Sequence, residues 1–363
     1  MTIGILGAGQ LGRMLALAGV PHGHGFRFLD PAQDPPAAAV GHHIRADYTD
    51  PAGLGEFARG LDVVTFEFEN VPVEAVEALA QRVPVFPPAP ALRIGQDRLL
   101  EKTLFRELGL SVHPFAAADS DEGVSAAIDT VGLPAIAKTR RLGYDGKGQK
   151  VLRTRADAAS AWRDLGERPL LIESLVPFRA EVSVLGVRGR DGAMCVYPLV
   201  ENVHRGGILH TSIAPAPVAT PTMQALAAGH VRRLMERLNY VGVLAVEFFV
   251  VGDDLLANEM APRVHNSGHW TIEGSVTSQF ENHLRAVCGL PLGDPSPRGH
   301  SLMLNLVGHA PDATGWLGTP GAHLHLYGKA ARPGRKIGHV TLVNESPWIL
   351  ADITALEQRV PRS

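Results

Sequence analysis

Two carboxylates interrupt apolar segments near the middle of the chain. Glu247 lies in Leu244-Ala245-Val246-Glu247-Phe248-Phe249 and Glu259 in Leu255-Leu256-Ala257-Asn258-Glu259-Met260, two runs that read as strands joined by a tight Gly-Asp turn. If the hairpin pivots about Asp253 with a three-residue loop, Glu247 lies opposite Glu259 and both face one side of the sheet; with a two-residue loop it faces Asn258. Opposed like charges on an apolar sheet need a neutralising partner. Magnesium, which bridges a few carboxylates to substrate phosphates, is the simplest one. The alternative, a solvated sheet edge, fits poorly with Val246, Phe248 and Met260 around the acids.

A second group is suited to phosphate. Lys138 closes a strand at 133–139 and is followed by Gly143-Tyr144-Asp145-Gly146-Lys147-Gly148-Gln149, another strand, and Leu171-Ile172-Glu173. A lysine at a strand end supplies a point charge, and a glycine-rich turn can fold over phosphates with its amides inward. Glu173 and the backbone after it could then receive adenine and ribose. The turn is not a Walker loop, and alone it equally describes a hairpin tip with a solvated lysine. At the start of the chain, Gly7-Ala8-Gly9-Gln10-Leu11-Gly12 matches the dinucleotide fingerprint, with Asp30 where a ribose-binding acid would sit. Such a turn brings an anion to amides at a helix start, and a single phosphate satisfies it as well as a dinucleotide. An NAD-dependent oxidoreductase is therefore one reading of this turn, but it leaves the lysine loop and the acid pair unexplained.

The elements that must position these residues suggest more than one domain, since 363 residues exceed what one core usually fills. A strand at 2–6, the glycine turn and a helical stripe through Leu11, Leu15 and Ala18 precede strands at 26–29 and 63–68, which implies a parallel sheet. Four prolines within 83–90 mark the exit from this first domain, and a helix begins near Asp97. Strands at 135–139, 150–153, 170–173, 181–188 and 195–199, with glycine-rich turns, predict a small antiparallel subdomain. A helix at 222–238 leads into the acidic hairpin, a proline-rich break follows at 291–297, and the tail carries short strands near 323–327 and 339–344. The expected boundaries are 1–95, 96–295 with a lid at about 118–180, and 296–363.

Net charge of −3, with acids and bases intermixed, gives no strong field for nucleic acid or membrane. No apolar run reaches membrane-spanning length. Cys195 and Cys288 are far apart and predict two buried thiols in a reducing, cytoplasmic setting. The 16 histidines form no HExxH or tight His/Cys cluster.

The order Lys138, glycine loop, Glu173, Glu181 and Glu247/Asn258-Glu259 resembles the ATP-grasp superfamily over nearly the whole chain. That resemblance implies an N-terminal Rossmann-like parallel-sheet domain, a two-part ATP-grasp domain closing over ATP and magnesium, and a small C-terminal β-rich domain. Within the superfamily, segments 9–15, 143–149, 261–270 and 332–339 resemble the N5-carboxyaminoimidazole ribonucleotide synthase family. The implied activity is ATP- and bicarbonate-dependent carboxylation of 5-aminoimidazole ribonucleotide through carboxyphosphate, in purine biosynthesis, without biotin and by a homodimer. Sister ligases that use formate or a biotin carrier share the architecture, but resemble 261–270 less well. A nucleotide sensor that turns nothing over is a further alternative.

The same resemblance implies site residues. ATP contacts would come from Arg98, Lys138, the loop residues Gly143, Tyr144, Asp145, Gly146, Lys147, Gly148 and Gln149, the stretch Glu173, Ser174, Leu175 and Val176, and from Glu181 and His204. Magnesium would sit at Glu247 and Glu259, with Asn258 beside them. The ribonucleotide phosphate would be held by Gly9, Gln10 and Leu11 and by Lys329, Arg335 and Lys336, with Arg263, His265, Asn266 and Ser267 near the reacting groups. Tyr144, Asp145, Lys147, Arg263 and His265 form the expected catalytic set, of which Tyr144, Asp145 and His265 would orient bicarbonate or move a proton.

Overall fold

A computed structural model describes residues 1–143, 146–309, 313–347 and 356. Four short strands open the chain: β1 (Thr2–Leu6), β2 (Gly25–Leu29), β3 (His42–Ile44) and β4 (Val63–Phe66). They pair in parallel in the order β3-β2-β1-β4. Helix Gln10–Gly19 buries Leu11, Met14 and Leu15 in a core shared with Phe26 and Phe28. Burying one such side chain contributes roughly 1.5–3 kcal/mol. The prolines at 83–90 lead into helix Ala89–Gly95, and Asp97 caps helix Arg98–Glu107 by accepting from the Leu99 and Leu100 amides.

The next sheet is small: β5 (Phe115–Ala118), β6 (Ala135–Thr139), β7 (Gln149–Leu152) and β8 (Leu170–Ser174), antiparallel in the order β5-β8-β6-β7. Helices Asp121–Val131 and Arg155–Asp164 cover it through Val124, Ile128, Ala158 and Ala161. A Thr154/Asp157 capping box starts the second of these helices.

The largest sheet contains β9 (Ala180–Arg188), β10 (Met194–Val196), β11 (Val200–Arg205), β12 (Ile208–Ala214), β13 (Gly242–Val251), β14 (Asp254–Ala261), β15 (His300–Val307), β16 (Ala322–Leu326) and β17 (Lys336–Asn344). Its path runs β14-β13-β9-β11-β12-β15-β17-β16, with β10 on β9. One expectation is corrected here. The strands at 181–188 and 195–199 do not complete the small subdomain, because β9 pairs with β13 over nine residues, Gly242↔Arg188 to Val250↔Ala180. The tail strands continue the same sheet, since β15 pairs with β12. Helix Pro221–Arg237 packs on this sheet through Val231, whose Cγ2 would stand 2.8 Å from a Cβ at Gly186, so glycine permits the close approach.

The acidic hairpin combines the two-residue turn of one expectation with the Glu247–Glu259 pairing of the other. Val251 pairs with Asp254 around a two-residue Gly252-Asp253 turn, which alone would set Glu247 against Asn258. An irregularity between Glu247 and Phe248 then places Asn258 as the extra residue of a bulge, and Glu247 pairs with Glu259. Directly paired residues point to one face of a sheet, so the two carboxylates share it.

Candidate active site

The three sheets border one cavity of about 1040 Å³, lined among others by Gln10, Glu69, Arg98, Lys138, Glu247, Glu259, His265 and Lys329. Glu247 and Glu259 enter from the edge hairpin of the large sheet, Lys138 from the end of β6, and Lys329, Arg335 and Lys336 from the tail.

Lys138 does not stand free. Its Nζ lies 2.6 Å from Glu173 Oε2, while Lys102 Nζ lies 3.4 Å from Oε1 and His113 Nε2 3.1 Å from Oε2. Burial alone would raise the Glu173 pKa, but Lys102 and Lys138 hold it well below the ordinary value of 4.5. Glu173, at the cavity wall, therefore anchors Lys102, Lys138 and the His113 ring. Lys102 and His113, which sequence reasoning missed, carried no motif; their only signal was a charge and an imidazole beside buried apolar positions.

Across the cavity, Arg98 Nη1 sits 2.9 Å from Glu259 Oε2. Burial pushes the Glu259 carboxyl up, and the Arg98 and Lys138 charges outweigh it, so it stays below the usual carboxylate range. Glu247 is shifted the other way. Burial first, and the Glu259 charge second, push it up to about 7. Its nearest cationic candidate, His265 Nε2 at 3.5 Å from Oε1, is itself pushed down to about 3 by burial and by Arg263, so it is neutral. The Asn258 Oδ1 beside the pair is buried without a hydrogen-bond partner. Two opposed carboxylates, Glu259 held by Arg98 and Glu247 pushed up, together with the Asn258 amide oxygen form a hard oxygen donor set that fits magnesium. Among the described residues no three His, Cys, Asp or Glu side chains converge as a metal site.

The glycine-rich loop between β6 and β7 leans over the cavity through Gly143, Gly146, Lys147 and Gln149. Gly148 has φ +70°, its carbonyl accepts from the Thr139 amide at 2.8 Å, and a Cβ there would lie 2.6 Å from Thr139 Oγ1. A Cβ on Gly146 would come 3.1 Å from Gly207 Cα, so the loop tip rests on the β11–β12 turn. Tyr144 and Asp145 lie outside the described residues. Ser174, Leu175 and Val176 form part of the wall, but the Ser174 and Leu175 amides are taken by the Pro114 and Pro134 carbonyls, both at 3.0 Å. Phe178 and Phe249, stacked at 4.5 Å, add an aromatic wall that the sequence reading did not include. Glu181 and His204 pair at 2.8 Å (Oε2 to Nδ1) on the same wall.

At the opposite end, Lys329 Nζ donates to Gln10 Oε1 at 2.6 Å, joining the tail to the first domain. Arg263 Nε donates to Glu69 Oε2 and ties the hairpin's exit to the loop after β4. The first glycine turn differs from expectation. Its Gly9 and Gly12 amides donate to the buried carboxylate of Glu67, so the anion site at the helix start is filled from within the chain. Asp30 is likewise engaged, accepting from the Ala8 and Ala32 amides at 2.9 and 2.8 Å and from the Tyr48 hydroxyl at 3.2 Å. A dinucleotide would find neither its pyrophosphate amides nor its ribose acid available. Gln10 and Leu11 still line the cavity, whereas Gly9 does not. Asn266 also lines it, paired side chain to side chain with Asn305, but Ser267 is fully buried behind His265.

A lid sheet, a hairpin acid pair and a lysine facing each other across one cleft define an ATP-grasp protein. Family models agree with that class in three consecutive segments: a ribonucleotide synthetase preATP-grasp domain at residues 1–96, an ATP-grasp domain at 103–280 and a phosphoribosylaminoimidazole carboxylase C-terminal domain at 301–351. The N5-carboxyaminoimidazole ribonucleotide synthase of Pseudomonas aeruginosa is 55% identical over 94% of this chain and 94% of its own length. The crystal structure of N5-carboxyaminoimidazole ribonucleotide synthetase from Thermus thermophilus superposes with a TM-score of 0.96 at 55% identity, covering 99% of each chain. The Aspergillus clavatus enzyme crystallised with ADP and 5-aminoimidazole ribonucleotide gives 0.92 at 32% identity over 99% of this chain and 98% of that one. The chain belongs to the N5-carboxyaminoimidazole ribonucleotide synthase family.

Proposed function

We propose that this protein carboxylates the exocyclic amine of 5-aminoimidazole ribonucleotide with bicarbonate, at the expense of ATP, giving N5-carboxyaminoimidazole ribonucleotide, ADP and phosphate in purine biosynthesis. The observation that carries the reading is the Glu247–Glu259 pair, set on one face of the hairpin in the same cavity as Lys138 and the Lys329 cluster.

The triphosphate lies between the glycine loop and the acid pair, with Lys138 and the loop amides spreading the charge of the transferring phosphoryl group. Glu247 and Glu259, with Asn258 beside them, would hold magnesium, which would supply positive charge against the phosphates. The base packs on Ile136, Leu175, Val176, Phe178 and Phe249. A bicarbonate oxygen attacks the γ-phosphorus, the bond to the β-phosphate oxygen breaks, and ADP leaves. The ribonucleotide amine then attacks the carbon of carboxyphosphate, phosphate departs with the bridging oxygen, and the nitrogen loses one proton. Lys329, Arg335 and Lys336 with Gln10 receive the ribonucleotide phosphate by side chains, the turn amides being occupied by Glu67. Arg263 and His265 stand between the two halves. Carboxyphosphate hydrolyses readily, so the glycine loop resting on the β11–β12 turn matters as a water barrier.

The enzyme works in the cytoplasm as a homodimer; Leu17 and Val20, 48% and 55% exposed on the first domain, supply apolar surface for pairing. The test is ADP production with bicarbonate and the ribonucleotide omitted in turn. Full turnover that needs both supports the reading. Undiminished turnover without either, or with formate in place of bicarbonate, overturns it.

A further inference from the structure

Behind His265 runs a chain of buried polar side chains that the proposed reaction does not touch. Ser267 Oγ is 2.8 Å from His265 Nδ1, and Ser183 Oγ donates to Ser267 Oγ at 2.8 Å. Asn202 Nδ2 donates to Ser183 Oγ at 2.9 Å, and Ser212 Oγ donates to Asn202 Oδ1 at 2.8 Å. Ser183, Ser212 and Ser267 are wholly buried and Asn202 is 4% exposed. The four come from β9, β11, β12 and the short turn at 266–268, so three strands and a loop cooperate to satisfy one ring nitrogen. A buried polar network of this kind costs free energy unless every member is paired, and here each link has its partner.

The direction of the chain is settled at the histidine. The Ser267 backbone N–H also points at His265 Nδ1, 3.4 Å away, with the imidazole acting as the cap of the turn. A backbone amide can only donate, so Nδ1 is an acceptor and carries no proton. In a neutral imidazole the proton then resides on Nε2. That nitrogen is the one facing the cleft, 3.5 Å from Glu247 Oε1.

We infer that Ser267, Ser183 and Asn202 are positioning residues that lock His265 in its Nε2–H tautomer, so that it meets the bicarbonate side of the cleft as a hydrogen-bond donor and not as the base that accepts the amine proton. The inference rests on the carboxylation reading for its consequence, but the tautomer itself is a property of the protein without substrate. A Glu247 carboxylate and the oxygens of bicarbonate both present acceptors to that N–H. A donor fixed there orients the bicarbonate for attack and cannot take up a proton at the same atom.

The decisive measurement is a long-range 1H–15N spectrum of the full-length protein labelled at histidine nitrogen, with the His265 signals assigned by their loss in His265→Gln. A protonated Nε2 and an unprotonated, hydrogen-bonded Nδ1 are expected. A proton on Nδ1 overturns the proposal, whatever the enzyme turns over. Ser267→Ala and Ser183→Ala then test the relay. Each is expected to give a mixed-tautomer spectrum and to lower kcat by roughly 10-fold or more while KM for ATP and for the ribonucleotide stays within about twofold. A variant that keeps the pure Nε2–H signature, or one in which KM rises while kcat is unaltered, overturns the relay. Wild-type protein with the expected tautomer but no bicarbonate-dependent turnover would instead defeat the functional reading.

Discussion

Replacing Glu247 by Gln should make the metal-free protein more stable and the enzyme inactive. In the folded chain Glu247 is pushed from its ordinary 4.5 up to about 7 by burial and by the Glu259 charge, and its side chain is only 14% exposed. That gap is worth about 3 kcal/mol against the ionised form. The sign follows from the raised folded value: the native state holds the proton more tightly than the unfolded one. Stability is therefore fully present below pH 4.5 and is lost as pH rises through about 7. Gln carries no charge and escapes this loss. Denaturant unfolding in EDTA should find Glu247→Gln more stable than wild type by up to about 3 kcal/mol at pH 8, and by under about 1 kcal/mol at pH 5. Magnesium with ATP should reverse the ranking by stabilising only the wild type. Equal metal-free stability of the two proteins at pH 8, or turnover by the variant, would refute the view that this carboxylate is strained until a cation arrives.

Removing the anion among Lys102, Lys138 and His113 with Glu173→Gln leaves two buried ammonium groups uncompensated, and should destabilise the chain by about 3–5 kcal/mol in denaturant unfolding. Gly148→Ala puts a Cβ into Thr139 Oγ1 at a φ of +70°, and should strain the lid loop by about 1–2 kcal/mol, seen as a rise in KM for ATP with little change in melting of the rest. Lys329→Met should raise KM for the ribonucleotide at least about tenfold while ATP affinity, measured by calorimetry, holds, because Lys329 reaches Gln10 of the first domain.

Much of this site was legible because its chemistry lies in residues that contradict their surroundings. Glu247 and Glu259 stood out as acids in apolar strands, and Lys138 with its glycine loop stood out by spacing. What could not be read was geometry that depends on pairing. The register of the acids was settled by a bulge at Asn258, which no loop-length rule supplies. The first glycine turn looked open to an anion because Glu67, which fills it, lies 55 residues from Gly12 in sequence. Lys102, His113, Ser183 and Asn202 sit among apolar neighbours with no motif, and only the tertiary structure brings them to Glu173 and His265. Neighbourhood in sequence places the strands at 181–188 and 195–199 in the small antiparallel subdomain, whereas β9 pairs with β13, far along the chain, and β10 with β9.

In the proposed reaction bicarbonate meets the γ-phosphate between Lys138 and the glutamate pair. Turnover with 18O-labelled bicarbonate and unlabelled ATP tests this directly, read by mass spectrometry of the released phosphate. One 18O in each phosphate formed is the predicted result; phosphate free of label, with ADP and product formed in equal amounts, would contradict it.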